Sequence, residues 1–467
     1  VCPTYGPGFF YIPGTDTCLK VGGNVWFETI AAQRFKAASD LMGYRTQLKV
    51  DLDARQNTEF GLLRTVVSPR VNSRLGAYTE QSATADREGI AFSGTNTGGA
   101  AKQTQVNVVG YIQLGGLTVG RLASFAQPSF YATSNVGYEG TDLRDEVDQV
   151  AYTIPLGNGM SLTGAIEDGS RSNRNGIFST SGGKKTAAAS YSVANGPAIG
   201  QNTADALNAI YGGTTYTATS TLPMITYTDA VGSVVNYGPI NVPDAVLKFA
   251  VDQSWGKAEL SGILHSINYD THGYNLSTEY GFGINAAMKI NLPMIASGDY
   301  LWLNGTYAEG FTQQTFRNIT GDRNSNDTTG LGIGRMGATL NDVLVNETTK
   351  ETYLATSYGV AGEFGHYFTP SVLGFVGASY AKLDWSSAAR LSSATTLATA
   401  TAINPISYVR VNAGVQWQPI KNFKVQPEVT YIKASANTAT NTAIATEGVA
   451  KKNESMWAGR IRITRDF

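Results

Sequence analysis

The amino-acid sequence predicts an all-β protein, a sixteen-stranded antiparallel transmembrane β-barrel with short periplasmic turns and long outer loops. Three observations predict it: apolar and polar residues alternate along short segments, charged residues are few, and connections alternate between short and long. Sixteen candidate strands can be read along the 467 residues, with no linker that divides the chain, so residues 1–467 are expected to form one domain. A bacterial up-and-down barrel has an even strand number, an apolar outer face and a polar interior.

The last segment of the chain illustrates the alternation. Because successive side chains of a strand point to opposite faces, Ile461 and Ile463 share one face while Arg460 and Arg462 share the other. A soluble sheet would have to bury the apolar face, whereas a membrane barrel turns it toward lipid. Phe467 as the last residue is typical of the C-terminal assembly signal of Gram-negative outer-membrane proteins.

The first eight candidate strands alternate in the same way and end at turn-forming residues. They cover Thr17–Thr29, Tyr44–Arg55, Phe60–Val71, Gln103–Leu114, Leu117–Ser124, Asp148–Leu156, Met160–Glu167 and Asp244–Gln253. The second is the clearest, since Leu48, Val50 and Leu52 alternate with charged residues. Gly115 and Gly116 predict a tight hairpin turn between the fourth and fifth strands.

The remaining eight candidate strands follow at closer spacing. They cover Lys257–Ser266, Leu276–Asn291, Tyr300–Glu309, Thr352–Phe368, Val372–Leu383, Ile406–Gln418, Phe423–Lys433 and Glu454–Phe467. Turns containing Pro370 and Pro419 separate two of the pairs, as expected of a residue that cannot continue a strand ladder.

Connection lengths separate a barrel from a soluble all-β protein. Those after even-numbered strands are short, whereas those after odd-numbered strands are mostly long, with an exception near Tyr269. A Greek-key protein has no reason to sort its loops in this way, but an up-and-down membrane barrel does. Residues 168–243 form the longest outer loop, which is expected to contain a hairpin or helix of its own, around Ala204–Tyr211.

Composition excludes several classes of protein. Charged residues make up 15% of the chain, the formal net charge is −1, and 52 residues are glycine. A near-neutral chain is not a bulk nucleic-acid binder, and no run of about 18 apolar residues encodes a membrane-spanning helix. No secretory signal precedes Val1, as expected of a chain that has already been processed.

Cys2 and Cys18 are the two cysteines of the chain, and they flank a Gly- and Pro-rich segment. In an oxidising compartment they would form a disulfide that closes the N-terminal segment, residues 1–16, and contributes roughly 3 kcal/mol in the chain-entropy model. Two unpaired thiols are the alternative interpretation.

Three features resemble the alphaproteobacterial general porin family: the opening CPTYGPGFFYIPGTDTCLKVGG, the stretch VVGYIQLGGLTVGRLASF at Val108–Phe125, and the terminal Phe467. The resemblance spans the chain, with poor matches over 168–243 and 310–351. It implies a homotrimer in the outer membrane of a Gram-negative bacterium, surrounded by lipid and lipopolysaccharide. It also implies that the loop after strand five, residues 125–147, folds into the lumen and narrows it.

Charged residues on the lumen-facing parity suggest how such a lumen is polarised. The acidic set in or beside the loop is Glu139, Asp142, Asp145, Glu146 and Asp148. The basic set on the wall is Lys20, Arg45, Lys49, Arg64, Arg410, Lys424, Arg460 and Arg462. An acidic loop facing a basic wall would set a transverse field across a water-filled constriction, although each charge could also be simply a solvated lumen residue.

The sequence therefore predicts passive diffusion of small hydrophilic solutes and ions. A loop-plugged barrel with a structural or adhesive role, and a barrel-embedded enzyme, are the alternatives from other classes. His265, His272 and His366 are scattered, so neither a metal nor a catalytic site is expected, and no cofactor is implied. The GxGxxG pattern at 332–337 follows a polar loop rather than a strand, which argues against a dinucleotide site.

Overall fold

The computed structural model shows the barrel that the alternation predicts. It describes residues 2–32, 41–76, 90–94, 102–134, 146–169, 177–179, 188–192, 224–228, 235–271, 275–316, 340–346, 349–390, 405–436 and 453–467. The sixteen barrel strands are numbered β1 to β16. They are Cys18–Ala32, Met42–Thr58, Gly61–Gly76, Lys102–Leu114, Leu117–Ala123, Glu146–Gly157, Met160–Glu167, Asp244–Gln253, Gly256–Ile267, Glu279–Asn291, Tyr300–Glu309, Thr356–Thr369, Val372–Asp384, Ile406–Ile420, Phe423–Ala436 and Asn453–Asp466.

Every strand pairs antiparallel with the next, and the sheet closes between β1 and β16. The closing register runs from Asn24 opposite Asp466 to Ala32 opposite Ala458. Closure leaves no exposed sheet edge along these strands. All sixteen predicted strands are confirmed, with ends that differ by a few residues.

Connection lengths are sorted between the two ends of the barrel, as predicted. At one end the turns after β2, β4, β6, β8, β12 and β14 contain two residues each, and Leu292–Asp299 joins β10 to β11. Positive φ angles at Gly115 (56°) and Asn158 (50°) fit the tight hairpin turns that require this conformation. The longer connections all leave the opposite end.

The outer wall is apolar and the inner wall is largely polar. Val25, Leu48 and Val150 are each at least 41% exposed on the outside. Inside, Asn285 and Asn304 on neighbouring strands exchange side-chain hydrogen bonds of 3.4 and 3.2 Å. Among the described residues, no helix is both long and apolar enough to cross a membrane.

The N-terminal segment completes the wall where β16 has ended. Cys2 and Cys18 form a disulfide, which confirms the predicted pairing. Phe9–Tyr11 pairs with the start of β1, at Cys18–Lys20. Farther along the same strand, Gly23 exchanges backbone hydrogen bonds with Phe467, the residue that follows β16. Phe9–Tyr11 therefore takes the place of β16 beside the part of β1 that β16 does not reach.

The long-loop end of the lumen contains an apolar core that the sequence analysis does not anticipate. Inward-facing residues of β13 to β16 and β1 pack there against segments that fold in after β11 and β13. The core consists of Ile30, Phe316, Leu344, Ala355, Ala381, Leu383, Trp385, Ala389, Ile406, Tyr408, Ile432, Ala434, Ala436, Met456 and Ala458. The inner wall of these strands is thus polar near the short turns and apolar near the long loops.

Short strands outside the barrel belong to the long connections. Within the predicted long loop 168–243, Ala188–Ser192 pairs antiparallel with Met224–Thr228. Ile177–Ser179 pairs parallel with residues 343–345 of the connection after β11. The hairpin or helix expected around Ala204–Tyr211 lies outside the described residues.

The lumen as the candidate functional site

The connection after β5 turns into the lumen, and its residues 125–134 are here named the lumen loop. The turn is fixed at Glu167 on β7, whose carboxylate accepts hydrogen bonds from Ser124 Oγ (2.6 Å) and Phe125 N (2.8 Å). Glu167 is only 1% exposed. A buried carboxylate that accepts two hydrogen bonds is a strong anchor for the start of the loop.

The middle of the lumen loop is held by β8 and β9. Lys248 Nζ donates to Gln127 O (3.0 Å) and pairs with Glu259 at 2.7 Å. Glu259 accepts from Ser129 N (2.8 Å) and from Ser129 Oγ. The lysine and the glutamate together fix successive backbone groups of the loop.

The far end of the lumen loop reaches β12, β14 and β15. Glu363 accepts hydrogen bonds from Thr133 N (2.6 Å) and Ser134 N (3.2 Å), and also from the hydroxyl of Tyr300 (2.7 Å). Asn412 donates to Ser134 Oγ (2.9 Å), and Gln426 donates to Thr133 O (3.0 Å). Residues 125–134 therefore follow the inner wall from β7 to β15.

Sequence reasoning missed the carboxylates that hold this loop. Glu167, Glu259 and Glu363 lie on inward-facing positions of strands that were predicted correctly. Their partners are 42, 130 and 230 residues away in the chain, so no local pattern identifies them. The sequence signal that could have identified these three glutamates is their inward-facing parity in strands that carry few basic residues.

The part of the wall formed by the inner faces of β14 to β16 and β1 to β3 is here named the basic arc, and the end of the lumen loop reaches its edge at β14 and β15. At its centre Glu28, fully buried, accepts a hydrogen bond from Arg462 Nε (2.7 Å) and lies 3.7 Å from Arg460 Nε. The guanidinium carbons of Arg45 and Arg462 lie 4.9 and 4.5 Å from the ring centroid of Trp26. Because β1 runs between β2 and β16, the two arginines approach this indole from opposite sides.

A second cluster of the basic arc lies closer to the short turns. The carboxylate of Asp53 is shared by Arg55 and Arg64, with N–O distances of 2.8 and 3.0 Å. Lys49 pairs with Asp51 at 2.9 Å between the two clusters. In the first cluster Glu28 and Glu428, which lies opposite Arg460 in the register, face Arg45, Arg460 and Arg462. In the second, Asp53 alone faces Arg55 and Arg64, so arginines outnumber carboxylates in both clusters.

The other predicted basic residues lie at different heights of the same arc. Lys424 pairs with Asp466 at 3.2 Å, and Lys20 lies 5.9 Å from the ring centroid of Phe9. Arg410 is 6% exposed and lies between the polar wall and the apolar core. The structure thus brings Arg45, Arg460 and Arg462 together around Glu28 and Trp26, but it does not place all eight basic residues in one ring.

The predicted acidic residues are distributed differently from the expectation. Glu139, Asp142 and Asp145 lie outside the described residues. Glu146 faces the basic arc, where it pairs with Arg70 and accepts a hydrogen bond from Asn107 (2.6 Å).

Asp148 requires a correction. It shares the outward-facing parity of Val150 and Tyr152, and its side chain is 65% exposed beside Arg121, at 3.3 Å. Glu146, the first residue of β6, pairs in register with the last residue of β5 and has its side chain inside, but from Asp148 onward the strand has its regular alternation. Asp148 therefore belongs to the outer wall and not to the lumen.

The described acidic and histidine side chains are dispersed around the lumen rather than clustered. Among the described residues, no group of three or more His, Cys, Asp or Glu side chains could hold a metal ion. His265 is fully buried with its Nδ1 2.9 Å from Asp244, in an apolar setting beside Phe311. Charged and polar side chains are thus distributed around the inner wall of the barrel.

Comparisons with known proteins decide the family. The family model described as "Porin subfamily" matches residues 1–460. This chain belongs to the porin subfamily. It is 34% identical over 179 residues to Porin Omp2b of Brucella suis, a match that covers 36% of this chain and 42% of that protein. It is 32% identical over 182 residues to Porin Omp2a of Brucella canis, covering 36% and 46%.

A solved structure supports the fold of this porin. The outer membrane channel DcaP of Acinetobacter baumannii superposes with a TM-score of 0.54 at 11% identity, covering 98% of this chain and 99% of that one. The sequence matches span less than half the length of each Brucella porin, so they support membership of the family and do not identify a particular activity. As a member of this family with a closed barrel, the porin lies in the outer membrane of a Gram-negative bacterium.

Proposed function

We propose that this chain forms a water-filled pore through which small hydrophilic solutes and ions diffuse passively across the outer membrane. The observation that carries the proposal is the course of the lumen loop along the wall from β7 to β15. The loop lies along the wall from β7 to the edge of the basic arc at β15, and it leaves the arginines on β16, β2 and β3 uncovered by residues 125–134. The driving force is the solute gradient, and no bond is made or broken.

Charge segregation across this lumen is the second part of the proposal. The inner faces of β7 to β12 are here named the acidic arc, and their described charged residues are Glu167, Asp244, Lys248, Asp252, Lys257, Glu259, Glu279, Lys289 and Glu363. Two opposed unit charges 4 Å apart interact by about 1 kcal/mol in water and about 4 kcal/mol near a protein surface. An excess of acids on one arc and of arginines on the other therefore supports a transverse field that orders dipolar solutes.

The proposed field differs from the expectation in where its acids lie. The described acids opposite the arginines are on the wall, under the lumen loop, rather than in the loop. Glu139, Asp142 and Asp145 remain proposed contributors to a constriction within 125–147. Glu146 is left out of this acidic set, because its charge is paired with Arg70 on the basic arc.

We further propose a homotrimer, assembled through the outer face of β4 to β6. Gly110, Arg121 and Asp148 lie side by side there in the sheet register, between apolar neighbours such as Val108 and Val150. A basic residue facing lipid costs about 2–4 kcal/mol near the bilayer midplane, and a second copy of the chain would cover this pair. The rest of the outer wall would contact lipid and lipopolysaccharide.

Gly115 and Gly116 do not serve this contact. Gly115 has a positive φ in the turn, and a Cβ at Gly116 would lie 2.6 Å from Thr153 O, so the turn itself accounts for both glycines.

Replacing both Arg121 and Asp148 by Leu tests the proposed trimer interface, because a lipid-exposed pair would tolerate the change and an interfacial pair would not. Native mass spectrometry after gentle extraction should show trimers for the parent protein and weakened assembly for the variant; monomers alone for the parent would refute the trimer.

Planar-bilayer conductance tests the pore itself. Steady ohmic openings with ion selectivity support passive diffusion. The apolar core at the long-loop end favours the second candidate, a loop-plugged barrel with a structural role. Silent membranes containing intact, folded protein would favour that candidate over the pore.

A further inference from the structure

A second segment enters the lumen directly after β11. Residues Phe311–Phe316, here named the second lumen segment, include a short helical turn at Gln313–Phe316. No side chain among these six residues is more than 4% exposed. The connection 310–351 is thus an outer loop only in part, because its first residues lie inside the barrel.

Three glycines make this inward path possible. Gly310, which has a φ of 63°, turns the chain off the end of β11, and a Cβ at Gly281 would lie 2.5 Å from Gly310 O. A Cβ at Gly283 would lie 3.1 Å from both Gln314 Cγ and Phe311 Cδ1. The missing side chains on the inner face of β10 create the space that the second lumen segment occupies.

The second lumen segment contacts the lumen loop at Ala126. Ala126 O accepts hydrogen bonds from Gln314 Nε2 (3.2 Å) and from Ser261 Oγ on β9 (2.8 Å). Ala126 and Phe311 also share one buried apolar cluster. Ala126 is therefore held between the wall and the second lumen segment, through both polar and apolar contacts.

Both ends of the second lumen segment are fixed independently of the lumen loop. Asp342 accepts hydrogen bonds from Thr312 N and Thr312 Oγ1, each 2.7 Å, and from Tyr237 OH (2.7 Å). Phe316 packs edge-on against Tyr408 of β14, with ring centroids 5.9 Å apart. A segment fixed at both ends can position the loop that it contacts.

We propose that the second lumen segment sets the position of the lumen loop, with Gln314 and Phe311 as the positioning residues and Gly283 as the site that admits them. This inference deepens the proposed pore, since the width and steadiness of the passage then depend on the connection after β11 as well as on that after β5. No solute need touch Gln314 for the effect to occur.

Conductance gives the first test. Gln314→Ala removes one of two donors to Ala126 O, and the population of displaced lumen loops should rise roughly two- to tenfold, seen as more frequent current fluctuations. Gly283→Val places a side chain where Gln314 and Phe311 lie, and it should change both the mean conductance and its noise. The matched control is Gly262→Val, because the Cβ position of Gly262 points outward and meets no atom closer than Gly283 O at 3.9 Å.

Thiol labelling gives a second readout that does not depend on conduction. Both native cysteines are joined, so Ala126→Cys introduces a single free thiol at a position that is 4% exposed in the parent protein. A membrane-impermeant thiol reagent should label it slowly in the Ala126→Cys background and severalfold faster when Gln314→Ala or Gly283→Val is added. Addition of Gly262→Val should leave the rate unchanged.

The outcomes separate this inference from the proposed pore. If the parent protein conducts and neither Gln314→Ala nor Gly283→Val alters the current or the labelling rate, the positioning role is wrong while the pore stands. If the parent protein is silent but labelling accelerates as expected, the pore is wrong while the positioning role stands. Equal acceleration by Gly262→Val would show a general loosening of the sheet and would overturn the assignment to Gln314 and Phe311.

Discussion

The basic and acidic arcs use their carboxylates in different ways. On the basic arc, Glu28 and Asp53 each serve two arginines. On the acidic arc, Glu167 and Glu363 accept hydrogen bonds from backbone N–H and hydroxyl groups of neutral residues. The same chemical group, a buried carboxylate, thus holds arginines together on the basic arc and fixes the position of the lumen loop on the acidic arc.

This difference determines what each removal should do. Loss of a carboxylate from the acidic arc leaves buried neutral donors without partners, which affects the position of the loop. Loss of an arginine from the basic arc changes local charge, which affects ion partition. The predictions below are ordered by the size of the effect expected from this contrast.

The largest effect is expected for Glu363→Ala. Thr133 N, Ser134 N and Tyr300 OH would each lose an acceptor, and an unsatisfied buried donor costs about 1–3 kcal/mol. The far end of the lumen loop should detach, so the mean conductance should change and current noise should increase. Glu351→Ala is the control, since Glu351 is exposed and accepts hydrogen bonds from its near neighbours in the chain, Thr349 and Tyr353, rather than from the lumen loop. Equal effects of both substitutions would contradict the anchoring role.

Neutralising the basic arc should shift selectivity rather than open the pore. Arg460→Gln with Arg462→Gln should make the pore more cation-selective, and Glu28→Gln is added so that the fully buried Glu28 is not left without the two arginines that it pairs with. Reversal potentials under a salt gradient measure the change. Lumen-facing polar substitutions tune selectivity more than stability, so the barrel should still fold.

The control for this set is Lys257→Gln. Lys257 carries the same charge, but it pairs with Asp252 beside a short turn, away from the basic arc. An unchanged reversal potential in the arginine variant, or an equal shift in Lys257→Gln, would rule out the transverse field while leaving the barrel intact.

A moderate and local effect is expected for Cys2→Ser combined with Cys18→Ser. Loss of the disulfide should destabilise the N-terminal hairpin by about 3 kcal/mol, the value expected for closing a loop of this length. The guanidinium carbon of Arg55 lies 4.7 Å from the ring centroid of Phe9, so the cluster around Asp53 loses a packing contact when the hairpin opens. Hydrogen exchange should accelerate at Phe9–Tyr11, with the acidic arc unaffected; uniform acceleration would mean that the hairpin is part of the barrel's global stability.

The smallest effect concerns a carboxylate outside both arcs. Burial alone would raise the pKa of Asp299, but hydrogen bonds from His366 Nδ1 (2.7 Å) and Tyr367 N (2.8 Å) hold it below its usual value of 3.8. Because the folded pKa is lowered, Asp299 stabilises the turn Leu292–Asp299 above the unfolded pKa, and this contribution is lost as the pH falls through the folded pKa. His366→Gln should therefore make proteolysis of this turn begin at a higher pH. No shift would show that Tyr367 N alone is sufficient.

The parts of the structure that could be predicted from sequence are those set by local patterns. Alternation identified all sixteen strands, and the spacing and compartment of Cys2 and Cys18 identified their bond. Parity placed Arg45, Arg460 and Arg462 on the inner wall. Asp148 was assigned to the lumen only because it lies beside the loop after β5, although it shares the outward-facing parity of Val150 and Tyr152. Proximity to a loop in the sequence is therefore a weaker guide to the lumen than parity within a strand.

The rest depends on contacts between distant segments. Glu363 meets Thr133 across 230 residues of sequence, and Gln314 meets Ala126 across 188. The inward path of Phe311–Phe316 depends on glycines of another strand, which are common throughout this chain and carry no distinguishing pattern. Such partners follow from the closed geometry of the barrel rather than from the sequence around them.

The hydrogen bond between Arg462 and Glu28 also bears on how the molecule folds. It joins residues 434 positions apart, and it forms between the first and last strands. Contacts of such large sequence separation form late and slowly, so the central cluster of arginines is assembled only when the whole chain is present and the first strand meets the last. Until that moment Glu28 lacks the two guanidinium groups that β16 brings to it, and the same pairing that finishes the polar lining marks the completion of folding.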